Sequence, residues 1–91
     1  MQRKIIMEKS VISKKYDNLR LELINARKSV NLTQVELSKK LSRPQSFVSK
    51  YEHGERRLDV IEFIEIAECI GIDPFKLLKK IIKNRNELFV R

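Results

Sequence analysis

The segment RPQSFVSKYEHGERR, residues 43–57, contains the side chains of this sequence that are best suited to chemistry. Its central part carries short and medium-length hydrogen-bond donors and acceptors, namely Gln45, Ser46, Ser49 and Lys50. Glutamine can bond adenine N6 and N7 together, lysine can reach guanine O6 or N7 or a phosphate, and serine can serve either. These residues are therefore candidates for reading the edges of nucleic-acid bases.

The single histidine, His53, raises catalysis as the alternative. It stands beside Gly54, with no serine, cysteine or paired carboxylate arranged around it. A chain of 91 residues also forms one small domain, without room for a substrate cleft between two lobes. We therefore interpret His53 as a surface turn residue, at most a donor to a phosphate, and expect that the protein is not an enzyme.

The positive charge of the chain is concentrated in its first 57 residues. These hold 14 Lys/Arg and 6 Asp/Glu, whereas residues 58–91 hold 6 of each, so the whole net charge of +8 lies before Leu58. Such an asymmetry favours a polyanionic partner, and we expect nucleic acid ahead of an anionic membrane surface.

Composition argues against several other classes of protein. The one cysteine, Cys69, cannot form an internal disulfide and has no neighbouring Cys or His at metal-binding spacing, so we expect no metal and no cofactor. The start, MQRKIIMEK, is far too short in apolar residues for a signal sequence, and no segment approaches the roughly 18 apolar residues of a membrane span. The expected location is the cytoplasm, in association with the nucleoid.

The first helix is predicted over about residues 14 to 29, with Asn31 as its end. Apolar residues recur there at helical intervals and predict one buried face, formed by Tyr16, Leu19, Leu23, Ala26 and Val30. Residues 1–15 lack convincing periodicity and are interpreted as a basic N-terminal arm. The folded domain is then expected over residues 16–91.

Two short helices are predicted next, joined by a turn. Residues 33–36, TQVE, fit a capping box that opens a second helix from about residue 34 to 41. Residues 42–44 interrupt it, and a third helix is predicted over about residues 44–52, with Pro44 in its first turn and Gly54 as its left-handed cap.

The third helix has two different faces on a helical wheel. Val48 and Tyr51 point toward the preceding helices, and Phe47 lies at the edge. The opposite side carries Gln45, Ser46, Ser49 and Lys50. Two short helices, the second polar on its outer face, predict a helix-turn-helix whose second helix enters the DNA major groove.

Two further helices complete an all-α prediction. Residues 59–62 repeat the capping pattern and open a fourth helix to about Ile70, ended by Gly71. Residues 73–74 open a fifth, in which Phe75, Leu78 and Ile82 form one stripe with Leu77 and Ile81 beside it. Residues 75–84 could alternatively lie on a membrane as a basic amphipathic helix, but the stripe is needed to cover a small core.

Several motifs occur together in one register: Leu32-Thr33-Gln34, Leu37-Ser38 and Val48-Ser49-Lys50-Tyr51-Glu52-His53-Gly54. With them, residues 19–82 resemble the phage-repressor and Cro-like helix-turn-helix family, also called the xenobiotic-response-element type. The resemblance implies a compact, five-helix, lambda-repressor-like domain that binds double-stranded DNA.

The same resemblance implies roles for individual residues. Gln34, at the start of the second helix, would bind a DNA phosphate. Base contacts would come from Gln45, Ser46 and Lys50, with Phe47 and Ser49 flanking them. For Phe47, contact with a thymine methyl and a place in the core are both open.

The resemblance also implies a salt bridge and a set of arginines that contact DNA phosphates. Arg27 in the first helix would pair with Glu52 at the end of the third, and removing either would leave a costly unpaired charge if the pair is buried. Arg56 and Arg57, in the loop after Gly54, would contact phosphates. Arg43 also flanks the candidate recognition helix, and for all three arginines we favour phosphate contact over simple solvation.

Two positions depart from the family pattern. Ser42 stands where the family usually has a turn glycine, so the turn is expected to differ slightly, since a left-handed serine costs on the order of 1 kcal/mol. Pro44 replaces the usual Ser/Thr cap, so Ser42 or Arg43 would have to satisfy the start of the third helix.

A homodimer is expected through the C-terminal half. Acidic residues on helix four could meet lysines on helix five, and apolar residues remain to form a contact. The acidic set is Glu62, Glu65 and Glu68; the basic set is Lys76, Lys79, Lys80 and Lys83; and the apolar set is Ile81, Ile82, Leu88, Phe89 and Val90.

Together these features predict a bacterial or phage transcriptional regulator that binds a roughly palindromic operator as a homodimer. Repression and activation are both open. The alternatives are an antitoxin, a restriction-modification controller, or a protein-interaction adaptor that keeps the fold without reading DNA.

Overall fold

The structure, a computed structural model, describes residues 2–83, and the side chains from residue 14 onward. Five helices follow one another: α1 Gln2–Ser29, α2 Gln34–Leu41, α3 Gln45–Glu52, α4 Val60–Ile70 and α5 Pro74–Lys83. Residues 2–83 contain no strand, and the all-α prediction is confirmed. Every helix contributes to one core, whose most deeply buried large side chains are Leu23, Leu37, Val48, Tyr51, Ile66 and Leu77.

Helix α1 is longer than its apolar pattern predicted. It begins at Gln2 rather than near residue 14. Residues 2–13 contain neither glycine nor proline and include Gln, Arg, Lys, Met and Glu, which favour helix even without an apolar stripe. Val30 was wrongly assigned to the buried face: α1 ends at Ser29, Val30 is exposed, and Asn31 turns the chain with a left-handed φ of 59°.

The predicted capping boxes are both present. The Thr33 hydroxyl accepts a hydrogen bond from the Glu36 N–H (3.0 Å), and the Glu36 carboxylate accepts one from the Thr33 N–H (2.9 Å). Asp59 and Glu62 make the same reciprocal pair, at 2.7 and 3.0 Å. These bonds satisfy N–H groups that a helix start leaves open, and so fix where α2 and α4 begin.

The turn between α2 and α3 keeps a left-handed residue despite the absence of glycine. Ser42 has φ 57° and ψ 42°, its N–H donates to the Lys39 carbonyl (3.1 Å), and the Arg43 N–H donates to the Ser38 carbonyl (3.0 Å). Serine therefore adopts the strained conformation that the turn requires.

Replacing Ser42 by glycine is expected to raise the free energy of unfolding by about 0.5–1 kcal/mol. Glycine removes the left-handed strain, and the greater entropy it gives the unfolded chain offsets only part of that gain. Urea denaturation measures the change. Ser46→Gly, at an exposed right-handed helical position, should instead destabilise the protein; a Ser42→Gly variant that is less stable than the wild type would contradict this account.

The start of α3 differs from the prediction. Pro44 precedes the helix as its N-cap, with φ −65° and ψ 152°, instead of lying in its first turn, and no side chain caps the helix. Neither Ser42 nor Arg43 takes that role. The Phe47 N–H donates to the Pro44 carbonyl at 3.0 Å. The rigid proline ring thus sets the direction in which the chain enters α3.

The face of helix α5 that packs on the core is not the one predicted. Leu77 and Ile81 are buried, whereas Phe75 is 75% exposed and Leu78 and Ile82 are exposed as well. Both stripes have helical spacing, so periodicity alone could not tell which one faces α1 and α4.

Candidate nucleic-acid interface

The outer face of α3 is accessible along its length. Gln45, Ser46 and Lys50 are exposed and Ser49 is half-buried, while Val48 and Tyr51 are fully buried on the opposite side. The buried pair anchors the helix to the core. The polar face of α3 is exposed to solvent and accessible to a ligand.

A chain of polar contacts links α1, α2 and α3 beneath this face. Arg27 donates to both carboxylate oxygens of Glu52, from Nε to Oε2 at 2.7 Å and from Nη2 to Oε1 at 3.0 Å. Both residues are buried, and the hydrogen bonds to Glu52 raise the pKa of Arg27. Gln34 Nε2 donates to Glu52 Oε1 at 2.9 Å, and Gln45 Nε2 approaches Gln34 Oε1 at 3.5 Å.

This chain of contacts reaches Gln45, the first residue of α3. One N–H of Gln45 is directed at Gln34, which leaves its second N–H and its carbonyl oxygen. Those two groups are what a glutamine needs to bond adenine N7 and N6 together. Gln34 itself lies at the first position of α2, near the helix N-terminus that would attract a phosphate, although its side chain already binds Glu52.

Phe47 belongs to the core side of α3. Phe47 is 8% exposed, and its ring contacts the Tyr51 ring edge-on, with 5.5 Å between the two ring centroids. The guanidinium carbons of Arg43 and Arg56 lie 4.4 and 4.8 Å from its centroid. Of the two interpretations left open by the sequence, burial favours the core, because little of the ring is left for a thymine methyl.

Both of these arginines also contact Glu62 on α4. Arg56 binds the carboxylate with two hydrogen bonds, at 3.0 and 2.9 Å, and Arg43 lies 3.5 Å from it and 3.8 Å from Glu65. Their predicted phosphate contacts would therefore have to use the remaining N–H groups. Glu62 and Glu65 thus have arginine partners within the chain, with which the lysines of α5 would have to share these carboxylates.

The ionisation of Glu62 follows from these contacts. Hydrogen bonds from Arg56 and from the Asp59 N–H lower the pKa of Glu62 to about 2, against an ordinary value of 4.5. Because the pKa is lower in the folded state, the stabilisation that this carboxylate provides is complete above about pH 4.5. It is lost as the pH falls through about 2.

The comparisons with known proteins agree with this geometry. The family model described as Helix-turn-helix matches residues 23–77, more than half of the chain. Among solved structures, an XRE-family like protein from Pseudomonas syringae pv. tomato str. DC3000 is 47% identical, with 85% of this chain and 94% of that chain covered and a TM-score of 0.82. No significant match was found among curated proteins.

The chain belongs to the XRE-type helix-turn-helix family. It is a DNA-binding regulator of that family, with α2 and α3 as its helix-turn-helix. This agrees with the predicted class of function, DNA binding and regulation.

Helix α1 of this XRE-type protein holds the loop that follows α3. The Tyr16 hydroxyl donates to the Arg56 carbonyl at 2.8 Å, the Arg57 guanidinium lies 4.8 Å from the Tyr16 ring centroid, and Arg20 Nη1 donates to the Glu52 carbonyl at 2.8 Å. Gly54, within this loop, has φ 81°, a left-handed conformation that side chains with a Cβ rarely adopt. Arg57 remains exposed and available for a phosphate.

His53 occupies the end of α3 as a capping residue. Its Nδ1 lies 2.8 Å from the Ser49 carbonyl, and its side chain is exposed. The XRE-type protein has no grouping of three or more His, Cys, Asp or Glu suited to a metal within its described residues. Among those residues, too, no helix is both long enough and apolar enough to cross a membrane.

Three residues with contacts at the candidate interface were not predicted from the sequence in that role. Glu62 was predicted only as a capping residue and a dimer contact, while Tyr16 and Arg20 were not assigned to the loop. Their partners lie across tertiary contacts, between α4 or α1 and the end of α3, for which no short motif exists. Among these three residues, only Tyr16 was expected to be buried, because it belongs to the apolar pattern of the first helix.

Proposed function

We propose that this helix-turn-helix protein is a sequence-specific transcriptional regulator that places α3 in the DNA major groove. The main support is the exposed polar face of α3, where Gln45 contacts Gln34 and so presents one donor and one acceptor outward. Ser46 and Lys50 extend that face by one turn. Arg57, together with the remaining donors of Arg43 and Arg56, would hold the DNA backbone on either side.

A binding titration tests this function directly. Fluorescence anisotropy with a duplex selected from a random pool, and with a scrambled duplex of equal length, should show tighter binding to the selected duplex. Affinity for both should fall steeply with salt, because each phosphate contact releases counterions. Affinity that is weak for every duplex and insensitive to salt would instead indicate a protein-interaction adaptor.

We also propose that the regulator binds a roughly palindromic operator as a homodimer. The exposed apolar residues support a contact surface: Val60, Phe75 and Leu78 line one groove between α4 and α5, and Ile82 continues it one turn further along α5. Ile81, expected in the interface, is buried in the core, and Leu88, Phe89 and Val90 lie outside the described residues. A dimer would present two recognition helices about 34 Å apart, one turn of DNA.

Replacing Phe75 by aspartate is expected to convert the dimer into a monomer without unfolding it. The side chain is 75% exposed, so a charge is tolerated in the monomer but costly in an apolar contact. Light scattering at micromolar concentration gives the mass. Leu21→Asp, at an exposed apolar position on α1 outside the groove, should leave the dimer intact; a wild-type protein that is monomeric both free and on DNA would refute the dimer.

A further inference from the structure

Glu62 lies beneath the two arginines that it contacts. Its side chain is 11% exposed, whereas those of Arg43 and Arg56 are 35% and 39% exposed. The carboxylate therefore binds the guanidinium groups from the protein side and leaves their outer edges accessible. An exposed acidic residue would compete with a phosphate for the same edges; a buried one can orient them instead.

The arginines are restrained from a second direction by Phe47. The guanidinium groups lie 4.4 and 4.8 Å from its ring centroid, within the range of a cation–π contact. Arg43 precedes α3 and Arg56 follows it, so one carboxylate and one ring connect the chain segments at both ends of the recognition helix. Arginine side chains are otherwise flexible, and this restraint lowers the entropy that they would lose on binding DNA.

The anchor of Glu62 is itself rigid. Its carboxylate accepts a hydrogen bond from the Asp59 N–H at 3.0 Å, while its own N–H donates to Asp59 Oδ1 at 2.7 Å. The capping box of α4 thus holds the carboxylate to which Arg56 and Arg43 bind. The position of the two guanidinium groups depends on where α4 begins.

We propose that Glu62 is a positioning residue for DNA binding, which fixes Arg43 and Arg56 in one register so that they meet backbone phosphates only when α3 is correctly seated in the groove. This inference depends on the proposed function. Phosphate contacts carry no base information themselves, but they set the register in which bases are read. Glu62 therefore increases discrimination between DNA sequences without touching DNA.

The test compares two substitutions that remove the same charge from the same helix. Glu62→Gln keeps an oxygen that can accept from the Asp59 N–H but loses the carboxylate that binds the arginines. Glu65→Gln, at an exposed position, removes an equal charge whose one ion pair within residues 14–83 is with Arg43, at 3.8 Å. The measured quantity is the ratio of dissociation constants for a scrambled duplex and for a duplex selected from a random pool.

Glu62→Gln is expected to lower this ratio by about three- to tenfold, because the freed arginines bind phosphates of any sequence in any register. Its binding to the scrambled duplex should tighten, with a steeper salt dependence. Glu65→Gln should leave the ratio within about twofold of the wild type. Equal ratios for the two variants would overturn the inference, because net charge alone would then explain both.

A second variant keeps the positive charge at position 56 and tests the inference even if Glu62→Gln fails to fold. Arg56→Lys retains a cation but cannot form the two-pronged contact with Glu62, so it should lower the ratio as Glu62→Gln does. An unchanged ratio for Arg56→Lys would overturn the inference. A wild-type protein that binds both duplexes equally would overturn the proposed function itself.

Discussion

Replacing Arg27 with methionine is expected to lower the free energy of unfolding by about 3–5 kcal/mol. Arg27 joins α1 to the end of α3 and to the loop before α2: beside its two bonds to Glu52, its Nη1 donates to the Leu32 carbonyl at 2.7 Å. Methionine keeps the aliphatic bulk and removes every donor. Glu52 would then be a buried carboxylate bound by Gln34 alone among its present side-chain partners.

Urea denaturation followed by circular dichroism measures this loss. Lys28→Met, the next residue on α1 and an exposed one, is the matched control and should change stability by less than about 0.5 kcal/mol. Combining Arg27→Met with Glu52→Gln should recover part of the loss, because the buried charge is gone. A loss below about 1 kcal/mol for Arg27→Met would mean that the pair is unimportant for stability.

Replacing Gln45 with alanine is expected to remove about 1–3 kcal/mol of discrimination at one base pair of each half-site. Gln45 is the first residue of α3, the proposed recognition helix, and is exposed. Its amide lies 3.5 Å from that of Gln34, with its other N–H and its carbonyl oxygen left to bond a base, so the loss should fall on one base identity. Because Gln45 lies outside the core, stability should change little.

A panel of operator variants that differ at single base pairs measures this effect. The Gln45→Ala protein should bind the four bases at one position about equally and keep the wild-type preferences at the others. Arg57→Ala is the control, since loss of a phosphate contact should weaken binding to all sequences alike. A preference profile identical to that of the wild type would contradict the assignment of Gln45.

Local signals in the sequence predicted much of the fold. The bounds of α2 follow from the capping box at Thr33 and Glu36, and the end of α4 from Gly71, whose φ of 93° suits a residue without Cβ. The polar face of α3 was predicted because its inward and outward positions differ in chemistry. These features depend on residues within one or two turns of each other.

Other features depend on how helices pack, and the sequence did not predict them. Leu77 and Phe75 have equally good helical spacing, and only the position of α1 and α4 buries the first and exposes the second. The partners of Glu62 also lie across tertiary contacts: it binds Arg43 from the turn before α3 and Arg56 from the loop after it. The sequence predicted phosphate contacts for both arginines, but not the carboxylate that restrains them within the protein.

Selection of bound duplexes from a random pool by the wild-type protein is the most direct test of base reading by α3. We expect one enriched motif with two symmetric halves centred about 10 base pairs apart, the spacing of two recognition helices in a dimer. A single enriched half-site would keep α3 as the reader and reject the dimer. A bound pool with no enriched motif would contradict the central claim that this helix-turn-helix protein recognises DNA sequence.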